Sequence, residues 1–176
     1  MTWKLRSTRY LYESRWFNLR QDELTLPTGE DITYTTVEHP GYAMVVPILP
    51  DGRVVMERVY RHSLNTVVLE CPSGGLDGEP PAVAARRELE EETGYLAGDI
   101  EPLGSYYGSS GISNEQFHLF LARDVAAGGT ISLEPTEQIE VEFFSLAELV
   151  DLALRAELTN GPSALAILLT HTRLQS

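Results

Sequence analysis

The stretch GEPPAVAARRELEEETGY, residues 78–95, predicts one helix in the middle of the chain. The two prolines at its start suit the first helical turn, and residues 82–92 are mostly strong helix formers. Gly94 suits the residue that caps the end of a helix in a left-handed conformation. Four of the five positions from 88 to 92 are glutamates, and like charges one turn apart weaken a helix. Such a helix needs either a positive partner or a solvated face.

The segments on either side predict strands and two further helices. Before the acidic helix, runs rich in aromatic and β-branched residues alternate with turn residues, including the hairpin pair Asp51-Gly52. The strand TVVLE is expected to lead into a loop, PSGG. After the helix, FHLFLARDV and IEVEFFSL predict strands, and LAELVDLALRAEL and SALAILLTHTRL predict amphipathic helices. This order predicts an α+β fold in which helices pack on a mixed sheet.

Composition narrows the partners of this domain. The 176 residues carry a formal net charge of -13, which argues against nucleic acid and against anionic membrane surfaces. The chain has no apolar run long enough to span a bilayer, and its first residues lack a signal-peptide pattern. Cys71 is the only cysteine, which favours a reducing cytoplasm and predicts a buried structural thiol.

Three carboxylates of the acidic helix share one face. Glu88, Glu91 and Glu92 stand at i, i+3 and i+4, Glu79 lies just before the helix, and Arg87 stands beside the cluster. Oxygen ligands on one stripe suit a hard divalent cation, and Arg87 would orient or partly neutralise them. The alternative is a solvated helix face held together by ion pairs between neighbouring turns.

The residues RELEEETGY, from Arg87 to Tyr95, resemble the core of the Nudix box, R-E-U-x-E-E-x-G-U with U apolar. Glu79 lies at the upstream distance that the box requires, and the wider resemblance covers about residues 15–158. It implies a Nudix α/β/α sandwich with a mixed central sheet in residues 41–176. An N-terminal antiparallel strand block in residues 1–40 would precede this domain.

The loop ahead of the box departs from the family pattern by one residue. Counting back from Glu79 places Ser73 where the box has its glycine, so we expect a shorter turn with Gly74 in the glycine's place. Ser73 is included among the candidate metal ligands. Glu90, on the other side of the helix, is expected to be exposed and structural.

The resemblance implies hydrolysis of a nucleoside diphosphate linked to another group, with Mg²⁺ or Mn²⁺ between the glutamates and the phosphates. It implies Glu88 and Glu92 as the first metal ligands and Glu91 as the next. Glu79 would be a water-mediated ligand or a partner of Arg87. Glu91 and Arg87 also belong to the expected catalytic set.

The N-terminal strands and the segments VYRHSLNTVVLECPSGGLDGE and SYYGSSGISNEQFHLFLARDV resemble the ADP-ribose pyrophosphatase branch. That branch implies cleavage of ADP-ribose to AMP and ribose 5-phosphate, with Arg61 forking onto a phosphate and Ser110 and Gly111 in a substrate loop. Arg61 is otherwise a surface residue at a strand end. The branch usually has proline where this chain has Ser110, which keeps GDP-mannose, or another sugar nucleotide or dinucleotide, as an alternative. A nucleoside-triphosphate sanitising enzyme and a non-catalytic nucleotide-binding module are further alternatives, and the intact glutamates favour an enzyme.

The general base of this branch lies in a loop after the FHLFLARDV strand, and SLEPTEQIEVEFFSL is the matching segment here. Glu137 is the first candidate and Glu134 the second, because Pro135 and its polar neighbours mark a loop. The alternative is that both are ordinary charges of an acidic loop.

The first forty residues are rich in aromatic residues for a segment outside the box: Trp3, Tyr10, Tyr12, Trp16, Phe17 and Tyr34. Strand edges need covering, and a two-fold partner is the commonest cover. The resemblance implies a homodimer that exchanges its N-terminal strands, so that their aromatics reach the partner's substrate pocket. The alternative is that these side chains only pack on the chain's own sheet.

Overall fold

The computed structural model describes residues 2–175, which divide into two compact units. The first unit runs to Gly41 and includes Tyr106–Gln116, and the second comprises Tyr42–Ser105 and the chain from Phe117 onward. The domain boundary expected after residue 40 stays a prediction. The first unit also takes in a later segment that the sequence did not indicate.

The first unit contains an antiparallel sheet in the order β1-β2-β3, formed by Lys4–Glu13, Asn18–Thr25 and Asp31–Glu38. Every residue of β1 is exposed, whereas the central strand β2 buries Asp22 and Leu24. β1 is therefore an edge strand that neither buries a face nor pairs on its outer side within the described residues.

Within residues 2–175, nine more strands and three helices follow, and they lie wholly or mainly in the second unit. The strands are β4 (Tyr42–Pro47), β5 (Arg53–Arg61), β6 (Thr66–Glu70), β7 (Ser73–Gly75), β8 (Tyr95–Leu96), β9 (Asp99–Tyr107), β10 (Gln116–Arg123), β11 (Ala126–Ala127) and β12 (Ile139–Ser145). The helices are α1 (Pro81–Thr93), α2 (Leu146–Leu154) and α3 (Gly161–Leu174). The sheets have the orders β7-β4-β10-β9, β12-β5-β6 and β11-β8. β10 is parallel and β7 antiparallel to β4, so the largest sheet is mixed.

Helices cover both faces of β4. Ala43 and Val45 belong to one buried core cluster with Leu89 of α1. Met44 points to the opposite face because side chains alternate along a strand, and its sulfur accepts a hydrogen bond from Ser163 Oγ of α3 at 3.7 Å. The predicted α+β fold, with a mixed sheet between helices and an N-terminal antiparallel block, is confirmed.

Three local predictions need correction. The PSGG segment was expected as a loop, but it contains β7, which pairs with β4. Strand β9 was not anticipated, because Pro102 and Gly104 interrupt its pattern. Helix α2 ends at Leu154 instead of Leu158, since Ala156 adopts a left-handed φ of 57° that turns the chain out of the helix.

Candidate active site

Helix α1 turns two glutamates toward the protein interior. Glu88 and Glu92 are 7% and 6% exposed. They are one helical turn apart, on the same face, and the helix is fixed by Ala85 and Leu89, which are fully buried in the core cluster. Gly94 ends the helix with a φ of 72° and donates its N–H to the carbonyl of Glu90, as predicted for a glycine cap. Packing of α1 on the sheet therefore sets the position of both carboxylates.

Arg87 connects Glu88 and Glu91 of the helix to the loop before it. Its Nε donates to Glu79 at 2.9 Å, and its Nη1 donates to Glu88 at 2.7 Å and to Glu91 at 3.0 Å. Its Nη2 donates to the carbonyl of Gly75 at 2.8 Å. These are the orienting contacts that the sequence led us to expect of Arg87, while its part in catalysis stays a prediction.

Strand β7 brings its backbone against the two buried carboxylates. The N–H of Ser73 donates to Oε2 of Glu92 at 2.8 Å. A Cβ atom at Gly74 would lie 2.2 Å from the carboxylate of Glu88, far inside van der Waals contact. Glycine is thus the only residue that fits position 74 while Glu88 keeps this position. Ser73 meets the site through its N–H, and its role as a metal ligand stays a prediction.

Substituting Gly74 by Ala should displace the Glu88 carboxylate and lower activity without unfolding the protein. The clashing atoms are the end of a flexible side chain, so they can rotate away at small cost in stability. We expect kcat to fall by about tenfold or more, because a small misplacement of a catalytic group is costly. Gly75→Ala is the matched control, since its Cβ would meet nothing closer than 3.6 Å. If both variants are folded, as judged by their thermal unfolding midpoints, an equal kcat would contradict this role of Gly74.

Burial makes charge costly at both interior glutamates. It raises the pKa of Glu88 to about 7, against the opposing effect of Arg87. It also raises the pKa of Glu92 well above its ordinary value, and the neighbouring carboxylates of Glu57 and Glu88 add to that rise. A divalent cation beside these groups would stabilise their charged forms.

Two glutamates that the sequence analysis missed border this cluster. Glu57 on β5 and Glu70 on β6 are cross-strand neighbours, 1% and 3% exposed. Arg61 donates Nε and Nη2 to the two carboxylate oxygens of Glu70 at 2.9 and 2.7 Å. The carboxylate of Glu57 lies near that of Glu92, whose pKa is raised by burial and further by the charge of Glu57. Strand alternation was the available signal, because it puts Glu57 on the same face as the fully buried Val55.

The two candidate bases contact each other in the loop before β12. The N–H of Glu134 donates to Oε2 of Glu137 at 2.6 Å, and the N–H of Glu137 donates to the carbonyl of Glu134 at 2.9 Å. Burial is the main cause of the raised pKa values of Glu57, Glu88 and Glu92, and the charge of Glu137 adds to it at all three. Glu137 therefore lies near the buried carboxylates, whereas Glu134 is exposed. Which of them is the base stays a prediction.

Ser110 and Gly111 lie in the first unit, and both are exposed. The hydroxyl of Tyr34 on β3 donates to the carbonyl of Gly111 at 2.5 Å. Val37 of the same strand forms a parallel bridge with Ser113. This segment is thus attached to the N-terminal sheet, and the substrate-binding role of Ser110 and Gly111 stays a prediction.

The donor set of the second unit fits Mg²⁺ or Mn²⁺, because the carboxylates offer only oxygen atoms. In residues 2–175 as they stand, no three Asp, Glu, His or Cys side chains form a ready metal-binding group. Arg87 engages Glu88 and Glu91, and the Ser73 N–H engages Glu92 instead. Oε1 of Glu57 is buried and accepts no hydrogen bond within the same range, which leaves an oxygen able to bind a cation.

Two other residues were assigned structural roles from the sequence. Cys71 is fully buried, as predicted, and burial raises the pKa of its thiol to about 12. Glu90 is half-buried, so the prediction of an exposed side chain was wrong: its carboxylate accepts the N–H of Thr130 at 3.3 Å. The chain after β11 folds back over this side of α1.

No helix within residues 2–175 is both long and apolar enough to cross a membrane.

An α/β/α sandwich in which an arginine holds the glutamates of one helix, and a glycine of the adjoining strand lies against them, is the arrangement of a pyrophosphate hydrolase. The NUDIX domain matches residues 38–165, so the chain belongs to the Nudix family, and it is a pyrophosphohydrolase enzyme. The nucleoside diphosphate sugar hydrolase N-terminal domain matches residues 3–37. Together these matches make the chain similar to the ADP-ribose and sugar-nucleotide pyrophosphatases.

Two relatives agree with this assignment, and a solved structure agrees with the fold. The ADP-ribose pyrophosphatase of Bacillus subtilis is 31% identical over 159 residues, 89% of this chain and 86% of that protein. The GDP-mannose pyrophosphatase of Salmonella arizonae is 31% identical over 110 residues, 60% of this chain and 56% of that protein. A crystal structure of an ADP compounds hydrolase has the same fold, with a TM-score of 0.87 at 23% identity, covering 99% of this chain and 95% of that one.

Proposed function

We propose that this enzyme cleaves the pyrophosphate bond of a nucleoside diphosphate sugar, with ADP-ribose as the first candidate, giving AMP and ribose 5-phosphate. The observation that carries the proposal is the buried pair Glu88 and Glu92 on α1, held against the backbone of β7. The match of the N-terminal strands to a sugar-hydrolase domain favours a sugar nucleotide over a nucleoside triphosphate.

The proposed cofactor is Mg²⁺ or Mn²⁺. Glu88 and Glu92 would be its first ligands, with Glu91, Glu79 and Ser73 as further candidates. A bound divalent cation would offset the phosphate charges and lower the pKa of a bound water. Arg87 would keep the loop before α1 in place through its contact with the carbonyl of Gly75.

The remaining residues of the site have proposed roles in positioning and proton transfer. Glu137 accepts a proton from the attacking water while the water oxygen bonds to phosphorus and the bond from phosphorus to the bridging oxygen breaks. Glu134 is the second candidate for this base. Arg61, fixed by Glu70, presents its guanidinium to a phosphate. Ser110 and Gly111 contribute to substrate binding.

Release of phosphate-containing products from a substrate panel tests the proposal. The panel contains ADP-ribose, GDP-mannose, NADH, diadenosine polyphosphates and dGTP analogues, each with Mg²⁺, with Mn²⁺ and with chelator. We expect the highest kcat/KM for ADP-ribose and no turnover in chelator. Preference for a dGTP analogue, or equal rates with chelator, would overturn the proposal.

GDP-mannose is the second candidate substrate. A GDP-mannose pyrophosphatase is among the relatives, and Ser110 stands where the ADP-ribose branch usually has proline. Formation of GMP and mannose 1-phosphate at a higher kcat/KM than AMP from ADP-ribose would select it.

We also propose a cytoplasmic homodimer whose N-terminal strands help to build the partner's substrate pocket. Trp3, Tyr12 and Trp16 are 48%, 53% and 53% exposed, and no residue of β1 is buried. Large exposed apolar side chains on and beside an edge strand favour a partner. The cytoplasm suits a chain whose only cysteine, Cys71, is a free thiol.

Light scattering at micromolar concentration should give twice the chain mass of 19.6 kDa. Trp16→Ala should weaken the dimer and lower activity together, because the pocket depends on the partner's strands. Tyr107→Ala is the control, since it removes an aromatic side chain of 61% exposure outside the N-terminal strands. A monomer with full activity would refute the shared pocket.

A further inference from the structure

Strand β5 carries one carboxylate into the interior that forms no ion pair within residues 2–175, and Arg61 of the same strand is paired with Glu70 instead. Glu57 is 1% exposed, with Val141 of β12 opposite on one side and Glu70 of β6 opposite on the other. Like charges directly opposite each other destabilise a sheet. The two oxygens of Glu70 are engaged by Arg61, whereas Val141 offers Glu57 no polar group.

The side chain of Glu57 is directed at helix α1. Val55 stands two residues earlier, on the same strand face, and packs with Leu89 in the core cluster. The carboxylate of Glu57 lies near that of Glu92 on that helix, where burial raises the pKa of Glu92 and the charge of Glu57 is close enough to add to the rise. Oε1 of Glu57 has less than 1 Å² of accessible surface and accepts no hydrogen bond within residues 2–175. An oxygen this deeply buried needs a partner, because an unpaired buried polar atom is costly.

Two carboxylic groups this close, both almost wholly buried, can both be charged only with a cation beside them, and otherwise they hold a proton. The two guanidiniums that border the cluster are engaged elsewhere, Arg61 by Glu70 and Arg87 by the outer carboxylates of the box. Glu92 also receives the N–H of Ser73 on Oε2. The divalent cation that the proposed function already requires at Glu92 would supply this charge, and a proton held by the pair is the alternative that the experiment must exclude.

We propose that Glu57 is a further ligand of this divalent cation, supplied by strand β5 and not by the box helix. The inference rests on the proposed function, since it takes Glu92 as a metal ligand. A ligand from the sheet would join α1 and β5 through the cation, so that the site depends on the packing of the helix against this strand. Its chemical class is a hard, oxygen-binding cation such as Mg²⁺ or Mn²⁺.

Mn²⁺ binding to the substrate-free enzyme tests this inference independently of turnover. Free Mn²⁺ is measured by electron paramagnetic resonance for the wild type, Glu57→Gln and Glu140→Gln. Glu140→Gln is the matched control, because it makes the same change at an exposed position of the neighbouring strand. We expect Glu57→Gln to weaken Mn²⁺ binding by at least about tenfold, and Glu140→Gln to leave it unchanged.

Circular dichroism shows whether each variant is folded. If Glu57→Gln does not fold, Glu57→Asp replaces it, since it keeps the charge and withdraws the carboxylate by one methylene; weaker Mn²⁺ binding is again expected. Wild-type affinity in a folded Glu57 variant overturns the inference and leaves a proton shared between Glu57 and Glu92. In that case metal-dependent hydrolysis by the wild type still stands. Absence of Mn²⁺ binding to the wild type refutes both this inference and the proposed function. A selective loss of Mn²⁺ binding in Glu57→Gln supports Glu57 as a metal ligand even if no panel substrate is cleaved.

Discussion

Replacing Glu92 with Gln should lower kcat by about two orders of magnitude or more, because metal electrostatics contributes several kcal/mol to such a reaction. Glutamine keeps the size and the helix propensity of glutamate, and its carbonyl oxygen can still accept the N–H of Ser73. The substitution also removes a buried acid whose ionisation is costly, so the thermal unfolding midpoint should not fall. Glu88→Gln should behave in the same way. The measurement is kcat on ADP-ribose at saturating Mg²⁺, with the unfolding midpoint as the test of folding.

Glu90→Gln is the control on the same helix. Its amide oxygen can still accept the N–H of Thr130, so the contact that holds the following segment remains. We expect wild-type kcat for this variant. Wild-type turnover and unchanged metal dependence in Glu88→Gln and Glu92→Gln would remove these residues from the metal site.

Replacing Glu137 with Gln should lower kcat by about 10²–10⁴-fold, the usual contribution of a general base. The variant loses the proton acceptor, but its side-chain oxygen can still receive the N–H of Glu134, so the loop should keep its conformation. Metal affinity should change less than in the Glu88 and Glu92 variants. Single-turnover rates at saturating Mg²⁺, together with Mn²⁺ binding, separate the loss of a base from the loss of a ligand.

Glu134→Gln distinguishes the two candidates in this loop. Its carboxylate is exposed, and it contacts Glu137 through backbone groups that the substitution leaves in place. We expect activity close to wild type. Full activity of Glu137→Gln with a loss in Glu134→Gln would move the base to Glu134, and full activity of both would mean that another segment supplies it.

Features with local causes can be predicted from the amino-acid sequence alone. Helix propensity and a terminal glycine predicted α1 and its cap at Gly94, and the spacing of the glutamates placed Glu88 and Glu92 on one face. Runs rich in aromatic and β-branched residues predicted most of the strands. The same local rules missed β7 and β9, because glycine and proline lower the strand propensity of these segments. Both segments form strands through their pairing with neighbours.

The tertiary structure decided which charges are buried and what they meet. In the sequence, Glu57 is an ordinary member of a predicted strand, and Gly74 is identified only as the residue that takes the place of the box glycine. The register of β5 with β6 and the packing of α1 on the sheet put Glu57 against Glu92, and the pairing of β7 with β4 puts Gly74 against Glu88. These contacts join residues far apart in the chain, so they depend on how the elements pack and not on any preference of the segments themselves.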